Sequence, residues 1–256
     1  MAEEPLLVER RGAVLVLTLN RPDVRNAVDL PMAEAIAAAL DRLDAEDDLR
    51  VGVLTGAGAG FCSGMDLKAF ASSGRRPWAG DRGFAGIVRR AAAKPLIAAI
   101  EGFAVAGGLE VALACDLIVA ARGARLGIPE VKRGLVAAGG ALRRLPRVLP
   151  SSLAIELALT GDLILAERAH ELGAINRLSE PGKTLAEALE LAGAIAANAP
   201  LAVAASKAVI VRQRSWDEEE FWDRQAAIVD PVMASEDARE GALAFAERRD
   251  PRWSSR

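Results

Sequence analysis

The sequence predicts an α/β protein, because short runs of aliphatic and β-branched residues alternate with helical patterns along most of the chain. The first run, residues 13–19, is typical of a strand and ends in a Pro-containing turn. Asp29 is a candidate N-cap of the following helix, which has Pro31 in its first turn and apolar residues at helical spacing. A second apolar run, residues 50–55, comes next. Strand, helix and strand in this order predict a crossover unit.

The same alternation returns further along the chain. Residues 95–100 and 117–121 are predicted strands, and residues 107–115 between them are a predicted helix. Polar residues, glycines and arginines dominate residues 71–86, which we expect to form a mobile loop.

Helical patterns dominate from Ser151 onward, with one predicted strand at residues 174–178. A soft boundary falls at residues 198–200, which read Asn-Ala-Pro. We therefore expect an α/β core over residues 1–198 and a helical C-terminal region over residues 199–256.

Composition and charge argue against several classes of protein. The 256 residues include 32 basic and 35 acidic side chains, for a formal net charge of −3, so a nucleic-acid partner is not expected. Two cysteines and one histidine argue against a disulfide framework and most zinc sites. The acids at positions 3 and 4 are untypical of a secretory signal, which favours a cytoplasmic location. The apolar residues 103–121 contain Glu110 and Asp116, which favours protein core over a membrane span.

Several familiar catalytic and nucleotide-binding motifs do not fit this chain. The Gly-rich residues 56–60 follow a strand, but their spacing matches neither the dinucleotide fingerprint nor the P-loop. No Gly-x-Ser-x-Gly turn is present. The lone histidine, His170, lies in a charged helical stretch, where we expect a surface or helix-end residue.

Two glutamates are candidates for acid–base chemistry. On a helix, Glu110 has small or apolar neighbours three and four residues away, so its pKa should rise on burial unless the side chain bends out to solvent. Glu130 follows Pro129, where an acid also fits a purely stabilising role at a helix N-terminus. Two such acids would form a proton-exchanging pair, although other reactions, including glycoside hydrolysis, use carboxylate pairs too.

Two glycine-containing turns supply candidate hydrogen-bond donors. Residues 61–66 leave a strand through a loop, and residues 106–110 open a helix. Peptide N–H groups at a helix start are unpaired and lie at the positive end of the helix dipole. Two such donors aimed at one oxygen would form an oxyanion hole; the alternative is that the glycines only allow a helix to pack closely on a strand.

Three segments carry a resemblance to a known family. They are residues 61–68 (Phe-Cys-Ser-Gly-Met-Asp-Leu-Lys), residues 101–110 (Glu-Gly-Phe-Ala-Val-Ala-Gly-Gly-Leu-Glu), and Pro129-Glu130 with Gly134 and Gly139-Gly140. In order and spacing they resemble the enoyl-CoA hydratase/isomerase (crotonase) family, and the likeness runs from about Leu6 to the C-terminus. The closing residues 240–251 and the Gly-Met-Asp-Leu-Lys segment are most similar to the carnitinyl-CoA dehydratase branch.

The resemblance implies a fold, a reaction and partners. The fold would be a crotonase-like spiral of repeated β-β-α units, with C-terminal helices that complete the pocket and a trimer or a dimer of trimers. The reaction would be hydration of the 2,3 double bond of a 2-enoyl-CoA, in fatty-acid or related acyl-CoA metabolism. The N–H groups of Met65 and Gly107 would bind the thioester oxygen, Glu110 would take a proton from water, and Glu130 would deliver one to C2. No metal or separate cofactor is implied, because CoA is part of the substrate.

The resemblance also implies which residues line the CoA site. Arg25 would approach the phosphates, and Phe245, with Arg248 or Arg249, would close over the nucleotide. Cys62 is expected to be a packing residue and not a nucleophile. The full implied set is Arg25, Ala27, Cys62, Met65, Asp66, Leu67, Lys68, Gly107 and Phe245.

The chain departs from the family pattern at two places. Met65 stands where a small residue is common, and residues 135–138 read Leu-Val-Ala-Ala where many hydratases have a Pro-Gly turn that helps to place the water. Retention of both glutamates favours hydration. A Δ3-Δ2 isomerase, a dehydratase of a carnitinyl-CoA-like substrate and a non-catalytic acyl-CoA-binding protein stay open as alternatives.

Overall fold

The structure is a computed structural model that describes residues 4–256. Its strands are β1 (Leu6–Arg11), β2 (Val14–Leu19), β3 (Val51–Gly56), β4 (Trp78–Ala79), β5 (Gly83–Phe84), β6 (Leu96–Ile100), β7 (Phe103–Val105), β8 (Leu117–Ala121), β9 (Arg125–Gly127), β10 (Leu163–Leu165) and β11 (Arg177–Ser179). Its α-helices are α1 (Leu30–Ala45), α2 (Leu67–Ser73), α3 (Gly107–Ala112), α4 (Ala141–Val148), α5 (Ser151–Thr160), α6 (Ala166–Glu171), α7 (Thr184–Ala196), α8 (Pro200–Arg212), α9 (Phe221–Met233) and α10 (Glu236–Glu247).

The main sheet has six strands in the order β1-β2-β3-β6-β8-β11, with β1 antiparallel to β2 and the other pairs parallel. The predicted crossover is confirmed, because α1 joins the parallel neighbours β2 and β3. Asp29 caps α1 as predicted: its side chain accepts a hydrogen bond from the amide of Met32 at 3.0 Å. The predicted strands at residues 95–100 and 117–121 are confirmed as β6 and β8.

A second sheet of three short strands, in the order β10-β9-β7, lies beside the main sheet. Because β7 follows β6 and precedes α3, the chain forms a strand–strand–helix unit there, and the expected β-β-α fold is confirmed. The residue-by-residue prediction missed these strands, since three residues are too few for an alternating pattern to stand out.

Three sequence-based boundaries need correction. Residues 71–86 are not an open loop: they contain the end of α2 and the β4–β5 hairpin. Arg82 in this hairpin is only 1% exposed and donates to the Asp41 carboxylate of α1 at 2.6 Å, which fixes the hairpin to the core. The helix predicted at residues 107–115 ends at Ala112, and the strand predicted at residues 174–178 is β11, further along the chain.

The two faces of the main sheet are covered differently. Val51 and Val53 belong to a cluster with α7, whereas Leu54 packs with α1 in the larger core. This alternation follows from the two-residue period of a strand. The larger core also contains Cys62 and Leu109, so the glycine-containing turns lie on the α1 side of the sheet.

The C-terminal helices contact the core at few points. The predicted boundary at residues 198–200 falls between α7, which packs on the main sheet, and α8; the division into two regions stays a prediction. The Lys207 ammonium of α8 donates to Asp116 at 2.6 Å. Neither α8 nor α9 contains a buried residue. Within residues 4–256, no single helix has the length and apolar character to cross a membrane. The α7 helix and the helical segment Pro200–Ser215 meet that test only as a pair, bent by 107°.

Candidate active site

Glu110 lies on α3. The residue before this helix, Ala106, has a positive φ of 52°. The side chain of Glu110 is buried, with the whole residue 4% exposed. Oε1 accepts a hydrogen bond from the amide of Ala141 at 3.0 Å. Burial raises the pKa of Glu110, while the amide of Ala141, that of Gly139 and the charge of Arg144 oppose the rise. The carboxylate is therefore desolvated but supplied with donors that stabilise its ionised form.

Gly139 allows the carboxylate of Glu110 to approach the backbone before α4. A Cβ atom at this position would lie 2.8 Å from Cδ of Glu110 and closer still to Oε2. Any larger residue would displace the carboxylate. The sequence contains this glycine in the Gly139-Gly140 pair, but the pattern alone gave it no partner.

Glu130 lies in a 3₁₀ helix, Pro129–Arg133, which begins with Pro129 as expected. Its Oε2 atom is buried and has no hydrogen-bond partner among residues 4–256. Burial, and to a smaller extent the charge of Glu110, raises the pKa of Glu130 to about 7. The two predicted glutamates therefore lie close enough for the charge of Glu110 to influence the pKa of Glu130.

The backbone amides of Met65 and Gly107 lie close together, because Gly64, the neighbour of Met65, lies against Gly107. Val28 forms a parallel bridge with Met65. The amide of Val28 donates to the carbonyl of Gly64, and the amide of Asp66 donates to the carbonyl of Val28. The N–H of Met65, between these two residues, therefore points away from Val28. A Cβ atom on Gly64 would lie 2.8 Å from the nitrogen of Gly107. Neither amide donates to any residue in the described range 4–256. Two adjacent, unpaired donors are the arrangement that an oxyanion hole requires.

The ring of Phe84 covers the glycine of this pair. A Cβ atom on Gly107 would lie 2.6 Å from Cζ of Phe84. Phe84 belongs to the β4–β5 hairpin, so the buried Arg82 and the wall beside the amides are parts of one element. The side chain of Met65 is half-buried and packs against the main core.

Two predicted CoA-binding segments lie side by side. The carbonyl of Arg25 accepts a hydrogen bond from the amide of Ser63 at 3.1 Å, and the Cys62 thiol donates to Asn26 O at 3.1 Å. Arg25 is exposed, whereas Ala27 is buried. Burial raises the pKa of Cys62 to about 12, as expected for a packing residue.

The remaining predicted CoA contacts differ in how they are placed. Asp66 caps α2 through the amide of Ala69 at 3.0 Å and forms an ion pair with Arg21 at 3.0 Å, so its side chain is already engaged. Leu67 and Lys68 are exposed on the first turn of α2. Phe245 lies on α10 and is 87% exposed, and the structure does not join it to this group.

Two residues at the site have roles that the sequence did not indicate. Arg21 belongs to the early Asn-Arg-Pro turn, but its partner Asp66 lies 45 residues away. Arg144 lies in a run of basic residues on α4 that also fits a solvated helix face, and only the structure places its guanidinium near Glu110. His170 is exposed near the end of α6, as predicted. Among residues 4–256, no group of His, Cys, Asp and Glu side chains is arranged to hold a metal ion.

Comparison with known proteins identifies the family of the chain. Residues 9–256 match the family described as "Enoyl-CoA hydratase/isomerase". The fold and the site define a protein of the crotonase class, and the chain belongs to the enoyl-CoA hydratase/isomerase family. The crystal structure of enoyl-CoA hydratase EchA1 from Mycobacterium marinum is 54% identical, with a TM-score of 0.97 over 99% of this chain and 100% of that one.

Two curated relatives widen the comparison. Enoyl-CoA hydratase EchA19 of Mycobacterium tuberculosis is 43% identical over 98% of this chain and 96% of its own length. A carnitinyl-CoA dehydratase of Salmonella arizonae is 42% identical over 98% of both chains. The expected similarity to the carnitinyl-CoA dehydratase branch is therefore present beside the similarity to hydratases.

Proposed function

We propose that this protein is an enoyl-CoA hydratase, a hydro-lyase that adds water reversibly across the 2,3 double bond of a 2-enoyl-CoA thioester. The observation that carries the proposal is the arrangement of Glu110 and Glu130. Their carboxyls interact electrostatically, beside two backbone amides that bond to no residue within 4–256. Hydration needs both parts, because one proton must leave water, another must reach carbon, and negative charge develops on the thioester oxygen between the two events.

The proposed mechanism gives each group one task. The thioester oxygen accepts hydrogen bonds from the N–H groups of Met65 and Gly107. Ionised Glu110 removes a proton from water as the water oxygen bonds to C3, and the electron pair of the double bond moves onto the thioester as an enolate. Protonated Glu130 then delivers its proton to C2. Donors of the oxyanion-hole kind are typically worth about 2.7–4 kcal/mol each, so the two amides would carry much of the rate enhancement.

We further propose that the segments around Arg25 and residues 62–68 hold the CoA moiety. Their support is proximity: Arg25 O to Ser63 N, and Val28 to Met65, tie the two segments together directly before α2. The Arg25 side chain and Lys68 are exposed there and would face the phosphates. In this proposal CoA enters as part of the substrate, and no other cofactor takes part.

We also propose that the chain acts as a homo-oligomer, a trimer or a dimer of trimers. In the C-terminal region, α8 and α9 have no buried residue, while Trp222 and Met233 are each 71% exposed. An exposed apolar surface of this kind is typical of an interface. Phe245 would then contribute to a nucleotide bound by a neighbouring copy. Sedimentation velocity should give a trimer or hexamer mass for the wild type and a smaller mass for Trp222→Glu; a monomeric wild type would contradict this part.

The second candidate function, dehydration of a carnitinyl-CoA-like substrate, differs from the first in the acyl group of the substrate. The similarity to a carnitinyl-CoA dehydratase favours a polar acyl group as the alternative to a simple enoyl chain. We propose the hydratase reaction because both glutamates are present and interacting. A setting in cytoplasmic fatty-acid or related acyl-CoA metabolism fits the two free, buried thiols, Cys62 and Cys115.

A panel of substrates tests the proposal. Crotonyl-CoA and longer 2-enoyl-CoAs should lose the absorbance of the conjugated thioester when the enzyme is added, and the product should contain one oxygen from labelled water. A Δ3-enoyl-CoA converted without uptake of labelled oxygen would identify an isomerase, and turnover of carnitinyl-CoA alone would identify the dehydratase. Tight binding of acyl-CoA without turnover of any substrate would contradict an enzymatic role.

A further inference from the structure

Arg144 connects the turn that binds Glu110 to the wall beside the oxyanion amides. The guanidinium donates to the carbonyl of Val88 at 2.5 Å and to the carbonyl of Gly139 at 3.3 Å. Gly139 begins the turn whose amides face the Glu110 carboxylate. Both accepting groups are backbone carbonyls, so among residues 4–256 the positive charge of Arg144 forms no ion pair through a direct carboxylate contact.

The hydrogen bond from Arg144 to Val88 connects Arg144, through Phe84, with the amide of Gly107. The amide of Val88 donates to the carbonyl of Phe84 at 3.3 Å, and the ring of Phe84 covers Gly107. Arg144 therefore links two segments that border the site. One carries the donors to Glu110, and the other carries the ring against Gly107.

The charges around Glu110 are few. Arg144 from α4 is the cation that acts on this carboxylate, and Glu130 from the 3₁₀ helix is the neighbouring acid that it influences. Arg143 and Arg147 act on Arg144 itself, and both are exposed. The buried thiol of Cys115 is the remaining titratable group near the guanidinium, and burial holds it in the neutral form. A partly buried cation beside a desolvated carboxylate stabilises the ionised carboxylate more than an exposed cation would.

We propose that Arg144 is a positioning residue for hydration: its guanidinium fixes the 139–141 turn on Glu110 and aligns that carboxylate with the Phe84 wall at the oxyanion amides. This inference rests on the proposed function, in which Glu110 removes a proton from water. Arg144 does not touch the reacting atoms, so it acts through Glu110 and the turn.

Two substitutions separate the charge from the hydrogen bonds. Arg144→Gln removes the charge but keeps N–H donors, whereas Arg144→Lys keeps the charge but cannot span two carbonyls. Arg143→Gln is the matched control, because Arg143 is the exposed neighbour on the same helix. With crotonyl-CoA, both Arg144 variants should lose about 10–100-fold in kcat, the range expected when a reacting group is misplaced.

The pH profile distinguishes positioning from simple structural support. In Arg144→Gln, the acidic limb of kcat/KM should move to higher pH, because the ionised form of Glu110 loses a stabilising charge. In Arg144→Lys the limb should stay near that of the wild type while kcat stays low, and Arg143→Gln should match the wild type in both. If a folded Arg144→Gln keeps the wild-type kcat and limb, or if Arg144→Lys moves the limb equally, the inference is wrong. Should Arg144→Gln not fold, Arg144→Lys carries the test: wild-type kcat in that variant overturns the inference.

Infrared titration separates this inference from the proposed function. Carboxyl bands of the wild type and Arg144→Gln are followed with pH, and Glu110→Gln identifies the Glu110 band. If the wild type hydrates no 2-enoyl-CoA, the proposed function fails, yet the titration still decides the role of Arg144. Protonation of Glu110 at higher pH in Arg144→Gln supports the inference, and an unchanged titration overturns it.

Discussion

The regions around Glu110 and Glu130 contain the same amino acid in unlike surroundings. Glu110 is buried on α3 and faces backbone amides at the start of α4, together with the charge of Arg144. Glu130 is half-buried in a 3₁₀ helix, and its Oε2 has no partner among residues 4–256. Both pKa values rise through burial, but only Glu110 has several groups that oppose the rise.

This difference indicates how one pair of glutamates would divide two tasks. Hydrogen-bond donors stabilise a carboxylate, whereas a buried oxygen without a donor favours the protonated form. With a pKa of about 7, Glu130 holds a proton in a large share of molecules at neutral pH. The distribution of backbone amides, and not the residue type, would therefore select Glu110 as the base and Glu130 as the acid.

The largest expected effect comes from removing either carboxyl. Glu110→Gln and Glu130→Gln should each lower kcat for crotonyl-CoA by about 10²–10⁴-fold, the usual contribution of general acid–base catalysis. The kcat of the double variant should be only slightly lower than that of the less active single variant, because the two groups act in one reaction. Stopped assays with excess enzyme would measure these rates. Unchanged binding of butyryl-CoA would serve as the control, and turnover near that of the wild type in either single variant would contradict the mechanism.

A methyl group added at Gly139 should disturb Glu110 while it leaves the surroundings of Glu130 unchanged. In Gly139→Ala the new Cβ would meet the Glu110 carboxyl, so kcat should fall by about 10–100-fold with a smaller change in KM. Gly193→Ala on α7 is the matched control, because a Cβ there meets no atom within 4 Å. Equal kcat values for the two variants would show that the close approach at Gly139 does not matter.

The pH dependence should show the two environments as two limbs. Hydration needs Glu110 ionised and Glu130 protonated, so kcat/KM should fall as the pH rises through about 7, where Glu130 loses its proton. The acidic limb should lie at lower pH and belong mainly to Glu110. Because the carboxyls interact, the limbs report apparent values of the pair. A profile that stays flat from pH 6 to pH 9 would contradict this assignment.

The smallest expected effect is on the free energy of unfolding, and it depends on the ionisation of Glu130. The folded-state pKa of Glu130 is raised from 4.5 to about 7, so its contribution to stability is fully present below the lower value and is lost as the pH rises through the higher one. Glu130→Gln stays uncharged and should therefore be more stable than the wild type at pH 8, by about 1–2 kcal/mol after allowance for partial exposure, and little changed at pH 4. Thermal unfolding at both pH values measures this. Stabilisation of equal size at both would point to packing and not to ionisation.

Local patterns explain what was predictable. The cap at Asp29, the strand periodicity of β2, β3, β6 and β8, and the helix start near Gly107 all depend on residues close together in the chain. The prediction of a loop at residues 71–86 was wrong because a contact between distant parts of the chain decides the structure there. Arg82 can be buried there because Asp41, 41 residues away, supplies a carboxylate and the carbonyl of Arg90 accepts a further hydrogen bond.

The sequence by itself determined the α/β alternation, the family and the two candidate glutamates, because these follow from short-range patterns and from motifs of fixed spacing. Only the tertiary structure decided that Glu110 meets the amide of Ala141, 31 residues away, and that Gly64, the neighbour of Met65, lies against the amide of Gly107. Only it decided that Oε2 of Glu130 has no hydrogen-bond partner among residues 4–256 and that Arg144 lies between Val88 and Gly139. These contacts join segments far apart in the chain, so their geometry depends on how the sheets and helices pack together.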